Sequence, residues 1–251
     1  MKLNQILLLT SATSFVIAAQ AQDATSTEPP KPKWERSAFL GATITQGNSD
    51  TELITANLLA SKKGIKNEYS LGLDAAYGEV DSKKNEEILH GFAQYNRLFT
   101  ERFFGYARVD GLHDGIADVE YRFTFSPGAG YYFIKTKDDA KKTATSLSGE
   151  VGPSFIAEKV GTERNNYFAL RLAEKFEHKF SDTARVWEMV EILPQVDDWN
   201  NYLINGEIGA EASLTEKVLL RVAVTDTYDN EPAPGRKKND VKVVSSVGYK
   251  F

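Results

Sequence analysis

Val119-Glu120-Tyr121-Arg122-Phe123-Thr124-Phe125-Ser126-Pro127-Gly128-Ala129-Gly130-Tyr131-Tyr132-Phe133 is the stretch that decides the fold. Val119, Tyr121, Phe123, Phe125, Pro127, Ala129, Tyr131 and Phe133 share one parity, while Glu120, Arg122, Thr124, Ser126, Gly128 and Gly130 share the other. Successive side chains of a strand point to opposite faces, so this spacing predicts a long strand with one apolar side and one polar side. The alternation recurs along the chain. Tyr69, Leu71, Leu73, Ala75 and Tyr77 interleave with Ser70, Gly72, Asp74, Ala76 and Gly78. Tyr202, Ile204, Ile208 and Ala210 interleave with Leu203, Asn205, Glu207, Gly209 and Glu211, and Val218, Leu220, Val222 and Val224 with Leu219, Arg221 and Ala223. Val241, Val243, Ser245, Val247, Tyr249 and Phe251 form the last such face.

Twelve strands follow, near 36–47, 51–61, 66–78, 86–98, 102–112, 117–134, 144–156, 164–179, 183–196, 200–214, 217–229 and 239–251. Those near 51–61 and 86–98 have apolar residues on both parities, which leaves their facing open. Many strands are longer than a soluble sandwich needs. A tilted strand crossing hydrocarbon takes roughly 9–11 residues, plus extra length in the rims. Tyr69, Tyr77, Tyr121, Phe133, Tyr202, Tyr249 and Phe251 lie near the ends of apolar faces, as interfacial girdles require. Backbone groups in lipid must be paired within the protein, so a spanning sheet closes on itself, and an even strand number fits a single-chain barrel. The expected fold is a closed antiparallel transmembrane β-barrel over 36–251. The connections Lys62–Asn67, Phe99–Arg102, Lys135–Thr143, Ser181-Asp182 and Thr215-Glu216 fall at one end. Gly47–Asp50, Glu79–Asn85, His113–Ile116, Glu158–Glu163, Asp197–Trp199 and Asn230–Asn239 fall at the other and are mostly longer and more polar. This asymmetry predicts an outer-membrane barrel with both termini in the periplasm.

Composition narrows the function. The 251 residues carry 30 Lys+Arg against 35 Asp+Glu, a net charge of −5, and the isoelectric point is about 5.4. Nucleic-acid partners, which need a basic face, are not expected. The absence of cysteine excludes disulfides, thiol nucleophiles, Cys-ligated zinc, iron–sulfur clusters and a lipid-anchored N-terminal cysteine. At the N-terminus Lys2 precedes an apolar stretch from Ile6 to Ala19, and Ala19-Gln20-Ala21 has the small-residue pattern of a signal-peptidase site. Residues 1–21 are therefore expected to be a secretory signal peptide, with the mature chain starting at Gln22. Residues 22–35, with Pro29, Pro30 and Pro32, are expected to be an extended or disordered leader.

The chain ends Val247-Gly248-Tyr249-Lys250-Phe251. Val247, Tyr249 and Phe251 resemble the C-terminal targeting strand that the barrel-assembly machinery of Gram-negative bacteria recognises. Edge-strand pairing is the physical rationale. Gly41 through Asp50 (Gly-Ala-Thr-Ile-Thr-Gln-Gly-Asn-Ser-Asp), the Tyr106–Asp110 stretch, Arg122 through Tyr131 and the ending Gly-Tyr-Lys-Phe carry a wider likeness. Over about Ser37 to Phe251 the chain resembles a family of proteobacterial outer-membrane barrels often labelled salt-stress-induced or YdiY-like proteins. The resemblance implies location and fold, and it supplies no catalytic residues.

If the apolar face meets lipid, then Asp74, Arg108, Asp110, Glu120, Arg122, Glu150, Arg171, Glu207, Glu211 and Arg221 face the lumen. Arg108–Glu120 or Asp110–Arg122 pairs are expected in the hairpin around residues 112–117. This charge cluster either sets the selectivity of a narrow small-solute pore or forms a salt-bridged plug. A rival reading is a membrane-embedded lipid or peptide hydrolase in which His113 works with Asp110 or Asp114. Its simpler counterpart is a loop histidine beside ordinary loop aspartates. Asp197-Asp198 would hold calcium only weakly, because two acids do not make a calcium loop. No strand shows His, Asp and Glu at metal-ligand spacing, and no cofactor is expected. The partners expected are outer-membrane lipid and lipopolysaccharide, the assembly machinery during insertion, and small solutes.

Overall fold

The computed structural model describes residues 32–45 and 51–251. The expected signal-peptide positions Ala19 and Ala21, the expected leader up to residue 31 and the whole Gly47–Asp50 turn thus lie outside the described residues. Twelve strands are described: β1 (Glu35–Thr45), β2 (Thr51–Lys63), β3 (Asn67–Val80), β4 (Lys83–Leu98), β5 (Phe103–Asp114), β6 (Val119–Asp138), β7 (Thr143–Val160), β8 (Glu163–Lys179), β9 (Ala184–Pro194), β10 (Tyr202–Ser213), β11 (Val218–Asp229) and β12 (Asn239–Lys250). Each pairs antiparallel with the next, and β12 returns to β1, so the sheet is a closed barrel. The closing seam is short. Ser37–Leu40 pair with Val247–Lys250, and the Phe251 N–H donates to the Arg36 carbonyl at 3.1 Å.

The end at which β1 starts and β12 stops, here the terminal end, has the short connections expected of it. The opposite end differs from expectation. Strands β3 and β4 run on to a two-residue turn at Asp81-Ser82, and β7 and β8 to one at Gly161-Thr162. Asp81 and Ser82 both have positive φ (49° and 59°), the backbone twist that lets a two-residue hairpin continue the right-handed twist of its strands. Only 195–201 and 230–238 are long among the described connections at that end.

The barrel is inside out relative to a soluble protein. Leu40 is 68% exposed and Val243 66%, whereas Arg171 is 1% exposed and lies against the lumen. Such a wall buries its apolar surface only in an apolar solvent. Trp34, just before β1, stands 5.9 Å from Tyr69, and Tyr69 stands 5.2 Å from Tyr95, which builds an aromatic girdle at the terminal end.

The inner wall follows one local rule. Phe39, Phe92, Phe104, Tyr106 and Trp187 are directly opposite Gly248, Gly72, Gly130, Gly128 and Gly209 on the neighbouring strands. A methyl group on any of these glycines would run into the facing ring, so the missing side chain is what lets the ring lie flat on the wall. Between β6 and β7 the ladder breaks from Phe125↔Phe155 to Ala129↔Val151. Pro127 has no N–H to offer there. The buried hydroxyls of Ser126 and Ser154, 2.5 Å apart, bridge the gap.

Candidate functional site: the charged lumen

Arginines lie on the aromatic floor. The Arg221 guanidinium carbon is 3.9 Å from the Phe39 ring centre and 5.0 Å from that of Trp187, and Arg185 is 5.2 Å from Trp187. Arg108 lies 4.4 Å from Phe92, and Arg171 5.1 Å from Tyr106. A planar, weakly hydrated guanidinium suits such stacking and leaves its N–H edge free for carboxylates. Arg108 donates to both oxygens of Asp110 at 2.8 and 2.6 Å. Arg185 donates to both oxygens of Glu211 at 3.0 and 3.1 Å, and Arg221 adds a 3.0 Å bond to the same carboxylate. Arg171 sits between Glu150, at 2.8 Å, and Glu191.

These pairs join into a belt. Arg221 donates to Asn57 Oδ1 at 3.1 Å, and Asn57 donates to Asp74. The two ring nitrogens of His90 face Asp74 at 3.3 Å and Asp110 at 3.4 Å. Both are donors only in the imidazolium, so this geometry fits a charged ring. Arg108 then reaches Gln94 at 3.3 Å, and Gln94 donates to Glu150 at 2.9 Å. Glu150 also takes Lys175 at 2.9 Å. Cations and carboxylates alternate around the wall, which leaves it without a strong excess of either sign.

Ties also cross the lumen at three heights. Near the terminal end Tyr132 on β6 donates to Glu68 on β3 at 2.7 Å, and Lys63 on β2 pairs with Glu177 on β8 at 3.3 Å. Farther in, Lys175 on β8 donates to Gln94 on β4 at 2.8 Å. At the far end Arg122 on β6 pairs with Asp229 on β11, and Lys242 on β12 with Glu86 on β4, each at 2.7 Å. That mouth is narrowed further by the 230–238 connection. Ala233 is buried beside the Gly161 turn, and Asn230 is held by donation from its N–H to the Tyr202 carbonyl at 3.1 Å.

The structure distributes the sequence-predicted residues unevenly. Asp74, Arg108, Asp110, Glu150, Arg171, Glu211 and Arg221 join the belt, and Glu207 accepts from the Trp187 indole N–H. Arg122 stands apart at the far mouth with Glu158 and Asp229. Glu120 is not in the lumen. A bulge between Val119 and Tyr121 turns it outward, where it pairs with Lys159 at the rim. The expected Arg108–Glu120 and Asp110–Arg122 pairs do not form. Arg108 is opposite Ser126 and Asp110 opposite Thr124, and Arg108 closes on Asp110 within its own strand. Sequence reasoning did not place His90, Gln94, Asn57, Lys175, Arg185 and Glu191 in the lumen; of these only Lys175 follows the parity of a residue already identified on its strand, Arg171.

The hydrolase constellation is absent. Alternation places Asp110 and Asp114 on the inner face and His113 on the outer. Asp114 accepts from the Ile116 and Ala117 N–H groups at 3.0 and 2.8 Å, while His113 Nδ1 is 2.9 Å from the Glu120 carbonyl and donates to it. His113→Ala is expected to leave folding and single-channel behaviour unchanged, measured by heat-modifiable gel migration and planar-bilayer recording. Among the described residues no group of His, Asp and Glu is placed to hold a metal ion.

Comparison with known proteins agrees with the architecture. The chain is similar to a solved NanC porin at 7% identity and a TM-score of 0.51, over 86% of this chain and 98% of that one. An outer membrane channel (COG4313) from Pseudomonas putida F1 aligns at 11% identity and a TM-score of 0.49, covering 92% and 100%. A KdgM porin aligns at 10% and 0.45, covering 87% and 99%. At 7% identity the likeness to the NanC porin concerns fold alone. No curated protein matches the chain. The family model described as "Protein of unknown function, DUF481" matches residues 38–251, nearly the whole barrel, and the chain belongs to that family.

Proposed function

We propose that this protein is an outer-membrane barrel, with both termini in the periplasm, whose constricted lumen passes water and small ions while retaining larger solutes. The observation that carries this reading is a polar, charge-balanced interior crossed by ion pairs and hydrogen bonds at three heights. A barrel with a purely structural role could fill its interior with apolar side chains. This one keeps polar and charged groups along its whole length, as a conducting path requires. Ion pairs exposed to the lumen are screened by salt, so the ties should loosen as ionic strength rises. The resemblance to proteins named for salt stress is what supports an osmotic setting. The C-terminal residues Val247, Tyr249 and Phe251 support assembly by the barrel machinery.

The test is single-channel recording of the folded, leader-free protein in a planar bilayer. Small discrete steps are expected for the wild type. Arg122→Ala with Lys242→Ala removes two cross-lumen cations and leaves Glu86, Glu158 and Asp229 without them. Conductance should rise about twofold or more, with a shift toward cation preference. Silence from both the wild type and this variant, with folding confirmed by gel migration, would sink the pore reading in favour of a structural barrel.

A further inference from the structure

Glu174 and Glu188 are carboxylates in the wrong place. Both take the outward parity of their strands, β8 and β9, where neighbours are Leu170, Leu172, Phe176, Val186, Val190 and Ile192. Glu174 is midway between the exposed Phe168 and Phe180 on that face. At about 3.3 Å per residue each aromatic is roughly 20 Å away along the strand, beyond the reach of a snorkelling carboxylate. In register, Glu174 is opposite Gly149 and Val190, and Glu188 is opposite Phe176 and Ile208, so the two acids are diagonal neighbours. Among the described residues neither has a hydrogen-bond or ion-pair partner, in contrast to the paired carboxylates of the lumen belt. The other acids inside the outward faces of the described strands lie toward the far mouth: Glu87 is paired with Lys84, and Asp226 stands three residues before the end of β11. Glu174 also borders a groove of about 630 Å³ in the outer wall, floored by Gly149 and lined by Phe133, Leu147, Val151, Leu172, Val190 and Ile192.

Charged groups facing hydrocarbon are costly, and within a membrane they mark functional positions. A second copy of this chain does not supply the missing cation. On the described strands its outward cations Arg36, Lys62, Lys84, Arg97, Lys159 and Arg164 each lie one residue from the end of a strand, and so at the rims rather than at this depth. We propose that the groove beside Glu174 and Glu188 seats a membrane-embedded segment of a different protein that carries a Lys or Arg side chain at mid-wall depth. Groove and carboxylates then serve as one site: the apolar walls take the body of the segment and the acids take its charge. This rests on the outer-membrane reading above.

The experiment places a photo-crosslinking amino acid at Leu172 or Val190 in the full-length protein in cells, with Leu58 on another part of the wall as control. The expected result is an adduct from Leu172 and Val190 and none from Leu58, with the adduct lost in Glu174→Gln/Glu188→Gln and kept in Glu174→Asp/Glu188→Asp. Peptide mapping should place the cross-link in a partner segment that contains Lys or Arg. In parallel, the purified protein is refolded alone in phosphatidylcholine vesicles. There Glu174→Leu/Glu188→Leu should raise the urea midpoint, since isolated carboxylates gain nothing. Absence of an adduct, an adduct of twice the chain's own mass, one indifferent to Gln, or a lowered midpoint in the Leu variant would each overturn the proposal. Fractionation of the wild type away from the outer membrane would fell the location reading itself, and this proposal with it.

Discussion

Arg171→Met should lower the unfolding free energy of the refolded barrel by about 3–5 kcal/mol, the usual cost of removing one partner from a buried ion pair. Arg171 is among the most buried side chains of the molecule and separates Glu150 from Glu191. Without it Glu191 keeps only the 3.2 Å bond from Asn205, and Glu150 leans on Lys175 and Gln94. The triple variant Arg171→Met/Glu150→Gln/Glu191→Gln removes the stranded charges as well and should recover most of the loss. Urea unfolding in vesicles, followed by tryptophan fluorescence, measures both. Equal destabilisation of the single and triple variants would mean that the stacking of Arg171 on Tyr106, rather than charge balance, sets the effect.

Gly152→Ala is the second large expectation, a loss of about 2–4 kcal/mol from overpacking that cannot relax. A Cβ at Gly152 would meet the Pro127 carbonyl oxygen, and would come within 2.7 Å of the Gly128 Cα. These are backbone atoms of the adjacent strand, at the very point where the β6–β7 ladder is already interrupted. A ring or a long side chain can swing aside. Two strands locked into a closed sheet cannot. Gly111→Ala is the matching control, because a Cβ there meets nothing within 4 Å. The same urea titration should find the control within about 0.5 kcal/mol of wild type. A Gly152→Ala barrel as stable as its parent would show that the β6–β7 gap can widen.

Parity made the fold legible. Each expected strand is present, and lumen residues such as Glu150, Arg171 and Glu211 could be named because their neighbours two positions away were polar or small. The two strands whose facing stayed open show where this reasoning stops. In β4 the inward series Glu86, Ile88, His90, Phe92 and Gln94 contains two apolar residues, one of which, Phe92, is there to cover Gly72. Inward Leu59 blurs β2 in the same way. A barrel that lines its lumen with rings over glycines writes apolar letters on its polar face, and a test based on polarity alone cannot sort them. Glu120 escaped for another reason. A bulge shifts parity by one, and no residue type announces it. Nor does periodicity show which charges meet across the lumen, since pairs such as Lys242–Glu86 join strands far apart in sequence.

The brevity of the β1–β12 seam bears on how such a barrel comes to exist. Val247, Gly248, Tyr249 and Lys250, with the final Phe251 N–H, are the groups that stitch the cylinder shut against Ser37–Leu40 and Arg36. Until β1 arrives, those same groups are a free ribbon edge that any other strand can template on. Once it arrives, they are spoken for. The last strand is thus a clasp with one row of hydrogen bonds: any strand that paired with it first would have to be exchanged for β1, so that release and closure would be a single event.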